Sequence, residues 1–203
     1  DAKKKENYKN VAERPTGTVV NKFTKKMETP KAIARMYWYS TTAPYTLENS
    51  ILASAAGQVL SKLYLQKIRE EAGAAYSAGA AGSVQMVGDR VFTTLLGHCP
   101  MKPEMADEAT KIMREEVVAI SKSVDEATLN EIKAVMLKDA DAAVKENSHW
   151  LGVYNMYVSR GIDTETDYKS IVKSLTPAKV AAFVKNVILK AGNNVEVIML
   201  PEK

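Results

Sequence analysis

Two side chains in the stretch from Leu65 to Ser77 have the types and the spacing that could take part in chemistry. Arg69 carries a forked, permanently charged guanidinium, and Tyr76 carries a neutral phenol, so both are hydrogen-bond donors. A purely structural interpretation stands beside this one. In it, Arg69 pairs with a neighbouring acid such as Glu70 or Glu71, and Tyr76 lies at the end of a sheet.

The sequence around this pair predicts a long helix followed by a strand. Thr46 can cap the helix, whose apolar residues recur at helical spacing from Leu47 to Ile68. Gly73 lies just past the last turn, where a left-handed residue ends a helix. We therefore expect Arg69 on the last helical turn and Tyr76 near the start of the strand, at the same edge of a sheet.

The predicted strand after this helix is built from very small residues. Between Ala74 and Ser83 no residue except Tyr76 is larger than serine. Such a run adds little bulk to a core, and it lets another element approach the backbone closely. The sequence leaves open whether that element is a helix, a partner domain or an extended peptide.

The rest of the chain predicts an α+β fold, in which a mostly antiparallel sheet is packed on one side by a layer of helices. The final strand must return to the sheet because its apolar residues need burial. A polar linker over residues 1–12 precedes a single domain over 13–203. The other predicted strands are Gly17–Thr24, Ala32–Ser40, Arg90–His98 and Asn194–Leu200. The other predicted helices are one from Pro103, one opened by a capping box at Ser123–Glu126, a well buried one at Trp150–Val158, one at Asp167–Leu175, and one from Thr176 to Lys190.

The composition argues against two classes of protein. The formal charge of +4 is spread along the chain without the dense basic stripe of a nucleic-acid module. No apolar run has the length of a membrane span, and no secretory signal opens the chain. The first residue is Asp1 rather than Met, which indicates a fragment of a longer chain, a processed mature product or an artificially expressed piece, so a targeting signal of the parent could be missing. The compartment stays open, either cytoplasmic or periplasmic if the source is bacterial.

The histidines and the cysteine do not form a recognisable reactive site. His98 and His149 are isolated in the sequence, and neither belongs to a helical metal-binding motif, so packing or hydrogen bonding is the better interpretation. Cys99 follows His98 directly on a predicted strand, where adjacent side chains point to opposite faces. We therefore interpret Cys99 as a structural thiol and expect no metal site in this chain.

The ordered motifs of the chain resemble those of a known family. Ile68-Arg69-Glu70-Glu71 is followed by Gly73 and Tyr76-Ser77, after a long helix and before a hairpin. This pattern resembles the carboxy-terminal halves of the pitrilysin/insulinase-type zinc metallopeptidases, the inverzincins. Four further segments resemble the same family in the same order: Asn49–Leu52, Cys99-Pro100, Glu146–Leu151, and Leu175–Pro177 with the closing strand Val197–Pro201.

The resemblance implies a role for this chain within a larger enzyme. Enzymes of the family are built from homologous halves that close into a chamber around a peptide, and the other half carries His-x-x-Glu-His and the zinc. By position, Arg69 and Tyr76 would be the catalytic and substrate-binding residues, with no metal on this chain. The implied partners are the zinc-binding half, as part of the same chain or as a subunit, a peptide substrate, and a possible second copy in a homo-oligomer. Alone, the chain would be inactive.

Two other functions remain open at this point. One is a non-catalytic scaffold or peptide-binding homologue, similar to the inactive processing-peptidase subunits or the respiratory-complex core proteins of the same family. The other is an unrelated helix–sheet interaction domain. A full reading frame that contains His-x-x-Glu-His would favour the peptidase.

Overall fold

The structure of the chain is a computed structural model that describes residues 13–75 and 77–202. The predicted linker over residues 1–12 and the candidate residue Tyr76 lie outside the described residues. Within them, five strands form one sheet in the order β1-β5-β2-β4-β3. The strands are β1 (Thr18–Lys25), β2 (Ala32–Ser40), β3 (Gly79–Val87), β4 (Arg90–Met101) and β5 (Asn193–Pro201).

The sheet is mostly antiparallel, as the sequence predicts. β2 pairs antiparallel with both β4 and β5, and β3 pairs antiparallel with β4. β1 is the exception, because it lies parallel to β5 at the edge of the sheet. The predicted return of the last strand is confirmed: β5 enters between β1 and β2, where Ile198 is buried.

The helices form a layer on one face of this sheet, which confirms the α+β fold. Along β2, Ala32, Ala34 and Met36 point into that layer and are inaccessible to solvent, whereas Tyr37 lies on the opposite, open face. No helix in the described part of the chain has the length and apolarity needed to span a membrane. The helices are α1 (Leu47–Tyr64), continued by a π-helical turn (Leu65–Glu71), α2 (Ala106–Ile120), preceded by a 3-10 turn (Pro103–Met105), α3 (Glu126–Ala143), α4 (Asn147–Arg160), α5 (Tyr168–Ser174), and α6 (Pro177–Phe183), continued by a π-helical turn (Val184–Ile188) and a 3-10 turn (Leu189–Ala191).

The helix starts follow local side-chain chemistry. The Thr46 hydroxyl accepts a hydrogen bond from the Asn49 N–H at 3.0 Å, which confirms the predicted cap of α1. The predicted capping box at Ser123 is wrong. The cap of α3 is Asp125, whose carboxylate accepts from the Thr128 N–H at 2.7 Å. A carboxylate is favoured there because it carries negative charge beside the positive end of the helix dipole.

The prediction of a well buried helix near Trp150 is correct for the helix and wrong for its burial. α4 forms, and Gly161 ends it in a left-handed conformation. Five of its large apolar residues are 47–69% exposed: Trp150, Leu151, Tyr154, Tyr157 and Val158. Apolar composition makes burial favourable but does not supply a neighbour, and no described element covers this face of α4.

Candidate functional site

Arg69 lies where the sequence places it, on the last turn of the long helix. The π-helical turn (Leu65–Glu71) that carries it continues directly from α1. Ile68, next to Arg69, is completely buried, whereas Arg69 itself is exposed. The turn is therefore anchored to the core on one side and presents the guanidinium to solvent on the other.

Gly73 redirects the chain after this turn. Its φ of +60° lies in the left-handed region that favours glycine. The Ala74 N–H then donates to the Ile68 carbonyl at 2.9 Å, and Ala75 forms an isolated bridge with Met101 at the end of β4. The strand predicted to start at Ala74 actually starts at Gly79. The predicted start was wrong because, of the described residues before Gly79, only Ala75 forms a bridge to another strand.

The guanidinium of Arg69 has no hydrogen-bond or ion-pair partner within residues 13–75 and 77–202. The structural interpretation expected Glu70, Glu71 or another surface acid as that partner. Glu71 instead accepts a hydrogen bond from the Gln66 amide at 3.0 Å. The donors of Arg69 are therefore available to a group from outside the described residues.

An ion pair between the partly exposed Lys67 and the buried Glu116 holds the π-helical turn against α2. Lys67 Nζ lies 2.8 Å from a carboxylate oxygen of Glu116, which is buried. The hydrogen bond to this carboxylate raises the pKa of Lys67. One turn earlier, the buried Tyr64 hydroxyl donates to the Met113 carbonyl at 2.8 Å. These contacts position Arg69, and sequence analysis missed them because their partners are distant in the chain and follow no motif.

The small residues of β3 serve a close contact with α1. A Cβ added to Gly82 would lie 1.7 Å from the carbonyl oxygen of Ala53, and one added to Gly57 would lie 2.1 Å from the Gly82 nitrogen. Backbone therefore packs directly on backbone. For this face of β3, the element that approaches is a helix, which settles one of the alternatives that the sequence left open.

The open face of the sheet contains a groove of about 390 Å³. Arg14 lies along one side of it, with its guanidinium 4.1 Å from the centre of the Phe92 ring and donating to the Thr94 hydroxyl at 3.1 Å. The sequence alone does not reveal this groove, because strand periodicity shows which residues share a face but not that the face is left open. The lining residues are Arg14, Pro15, Tyr37, Tyr39, Ala81, Ser83, Gln85, Thr94, Leu96 and Val195.

Cys99 and the two histidines do not form a reactive site with Arg69. Burial raises the pKa of the Cys99 thiol to about 12, so it is protonated and poorly nucleophilic at neutral pH. Burial, helped by the positive charge of Arg35, lowers the pKa of His98. His149 contacts Glu165 at 2.9 Å. Among the described residues, no group of three or more histidine, cysteine, aspartate or glutamate side chains could hold a metal ion.

A comparison with known protein families identifies the family of this chain. The family model described as the peptidase M16 inactive domain matches residues 2–136, more than half of the 203-residue chain. The chain belongs to this family. The membership confirms the resemblance to pitrilysin-type peptidases, and the family's description assigns this peptidase M16 domain to the non-catalytic part of such enzymes.

Solved structures of this peptidase M16 family share the fold. The periplasmic protease PqqL from Escherichia coli matches with a TM-score of 0.75 and 22% identity, over 92% of this chain and 21% of that chain. A peptidase M16 inactive domain from Pseudomonas fluorescens matches with a TM-score of 0.73 and 14% identity, over 93% of this chain and 45% of that chain. Pitrilysin matches with a TM-score of 0.56 and 15% identity, over 91% of this chain and 19% of that chain.

These identities show likeness of fold alone. The chain spans about a fifth of the length of PqqL and pitrilysin, and less than half of the Pseudomonas chain. No curated protein matches the chain.

Proposed function

We propose that this chain is the domain that completes the active site and binds the substrate in a zinc metalloendopeptidase, which hydrolyses peptides inside a closed chamber. Membership of the peptidase M16 inactive-domain family supports the proposal. The structural observation that carries it is Arg69. Its exposed guanidinium has no hydrogen-bond or ion-pair partner among the described residues, and its turn is held by the ion pair of Lys67 with the buried Glu116. An arginine whose backbone is fixed and whose donors are free is suited to bind a ligand.

In this proposal Arg69 holds the substrate. A guanidinium offers donors in a planar fork, so it can bind a backbone carbonyl or a carboxylate with defined geometry. The anchoring of Ile68 and Lys67 to the core limits the movement of the turn. Arg69 therefore orients the substrate without losing an existing ion pair.

Tyr76 has the second role in this proposal, as a hydrogen-bond donor to the scissile carbonyl oxygen while that oxygen gains negative charge. The role rests on the motif and on the chemistry of the phenol. A neutral tyrosine hydroxyl is a donor at physiological pH. Loss of one donor to such an oxyanion typically lowers turnover by about 10²–10³-fold.

The residues described here do not fit zinc, so the metal of the parent enzyme would be held by another part of the protein or by a partner subunit. When bound there, zinc would polarise the scissile carbonyl and activate a water molecule for attack. The proposed partners are thus a zinc-binding homologous half and a peptide, with a second copy of the chain as a possible addition. Without that half, we expect the chain to have no peptidase activity.

A second candidate function is a non-catalytic scaffold or peptide-binding homologue. The exposed apolar face of α4 favours it, since such a face is typical of a surface that assembles with another protein. In that case, the protein would bind peptides or subunits and hydrolyse nothing.

The test uses the chain together with its zinc-binding half. We expect Tyr76→Phe to lower kcat by about 10²–10³-fold and Arg69→Gln to raise KM for peptides, with zinc content unchanged in both. Arg160→Gln, which removes an exposed arginine at the end of α4, is the matched control and should leave turnover unchanged. Unaltered turnover in Tyr76→Phe contradicts the assigned role. A zinc-loaded complex that binds peptides but hydrolyses none supports the scaffold instead.

A further inference from the structure

The groove on the open face of the sheet has an apolar floor. Across the strands, Val195, Tyr37, Leu96 and Ala81 lie side by side in one row. All of them line the groove. Its volume of about 390 Å³ falls within the range of ligand sites, about 300–1,000 Å³. The floor therefore suits the side chains of an extended peptide lying across the sheet.

Arg14 is a fixed cation at the side of this groove. Its guanidinium stacks on Phe92 at 4.1 Å and lies 5.4 Å from the ring of Tyr39. One nitrogen donates to Thr94, and Arg14 has no ion-pair partner among the described residues. Stacking on aromatic rings holds the guanidinium in place while leaving its other donors free. Such a cation is already oriented to receive a carboxylate.

The strand residues on this face carry positive charge and no carboxylate. Arg35 lies on the same face of β2 as Tyr37, and Arg14 covers the neighbouring row. The only acid within the five strands is Glu196, which points to the helical side and is bound by Arg114. No strand residue of the described sheet thus offers a carboxylate to Arg14 or Arg35. The face is complementary to an acidic ligand.

One hydroxyl in the wall of the groove lacks a partner. Tyr39 lines the groove, and its hydroxyl is buried without a hydrogen bond to any described residue. Burial raises the pKa of this phenol, and Arg14 offsets the rise only in part, so the hydroxyl stays protonated. A buried donor without an acceptor costs free energy. An acceptor that reaches this hydroxyl from the groove would remove this cost.

From these observations we propose that the open face of the sheet binds an acidic segment of an extended peptide, with Arg14 as the residue that recognises its carboxylate. The inference rests on the proposed function, because it names the substrate class of the same domain. Apolar side chains of the peptide lie on Tyr37 and Leu96, and an acidic side chain reaches Arg14, with Arg35 adding attraction over a longer distance. The parent enzyme then prefers acidic peptides to neutral ones.

The first test measures binding to the 203-residue chain and needs no hydrolysis. The probes are the capped peptides acetyl-Ala-Glu-Val-Glu-Ala-amide and its counterpart with glutamine in place of glutamate, titrated by NMR at low ionic strength. We expect the glutamate peptide to bind about tenfold more tightly, the effect of a hydrogen bond to a charged group. The difference should shrink at high ionic strength because salt screens exposed charges.

Variants assign the preference to Arg14. Arg14→Gln should abolish the difference between the two peptides, and Arg35→Gln should reduce it. Arg160→Gln carries the same change of charge outside the groove and should leave the difference intact. Tyr39→Phe should keep the fold, because its hydroxyl has no hydrogen-bond partner to lose among the described residues, and should weaken binding of both peptides several-fold.

Several results would overturn the inference: equal binding of both peptides, no binding of either, a preference that survives Arg14→Gln, or tighter binding of a single-stranded dT oligonucleotide than of the glutamate peptide. The test is separable from that of the proposed function. A preference that depends on Arg14, combined with unaltered turnover in Tyr76→Phe, sustains the acidic-peptide site and contradicts the catalytic role. If Tyr76→Phe lowers turnover but the two peptides bind equally, only the acidic-peptide site is contradicted.

Discussion

The carboxylate of Glu196 accepts two hydrogen bonds from Arg114 Nε, at 2.8 and 3.1 Å, and one from Nη2 at 2.6 Å, and this contact joins β5 to α2. Glu196 is 2% exposed, and Asn194 donates a further hydrogen bond to it at 2.9 Å. Burial by itself would raise the pKa of Glu196. The hydrogen bonds from Arg114 and Asn194 outweigh it, so the pKa is lowered.

The lowered pKa predicts a loss of stability in acid. A carboxyl whose pKa is lower in the folded state than in the unfolded state, about 4.3, adds stability above that value and loses it as the pH falls through the folded pKa. Glu196→Gln should lower the free energy of unfolding by about 2 kcal/mol at pH 7 and should flatten its decline below about pH 4.5. Urea unfolding between about pH 3 and pH 7 checks this. If the free energy of unfolding of the variant falls as steeply in acid as that of the unchanged protein, the prediction is contradicted.

The contact between α1 and β3 predicts that Gly82 tolerates no side chain. In Gly82→Ala the new Cβ would overlap the Ala53 carbonyl, which belongs to the backbone and cannot move aside alone. We expect a loss of more than about 3 kcal/mol in unfolding free energy, or failure to fold. Gly152→Ala is the matched control, because nothing lies within 4 Å of its added Cβ on α4. It should stabilise the protein by about 0.5–1 kcal/mol. Thermal and urea unfolding measure the change in stability of both variants. A small loss of stability in Gly82→Ala would refute the close contact.

The exposed face of α4 predicts unequal costs for the same substitution at two leucines. Leu129 on α3 is 1% exposed, whereas Leu151 on α4 is 69% exposed. Leu129→Ala should cost about 2–5 kcal/mol, because it leaves a cavity in the core. Leu151→Ala should change the free energy of unfolding by less than about 0.5 kcal/mol. A cost above about 2 kcal/mol for Leu151→Ala in the isolated chain would show that this face is covered within the chain.

Much of the helix that carries Arg69 follows from the sequence alone. The Thr46 cap, the apolar spacing from Leu47 to Ile68 and the stop at Gly73 each depend on residues a few positions apart. The position of Arg69 on the last turn follows from them. The sequence also predicted the order of strands and helices, and hence the fold class. It could do so because apolar residues recur about every 3.6 residues in a helix and every two residues in a strand.

Tertiary structure decided everything that depends on residues far apart in the chain. Arg114 and Glu196 are separated by 82 positions and Arg14 and Thr94 by 80, so no local pattern records their contacts. The same holds for the burial of α4 and for the use of the small residues in β3. Periodicity tells which side chains share a face, but only the packing of distant elements determines whether that face is covered by a helix, as at Gly82, or left open, as at Tyr37.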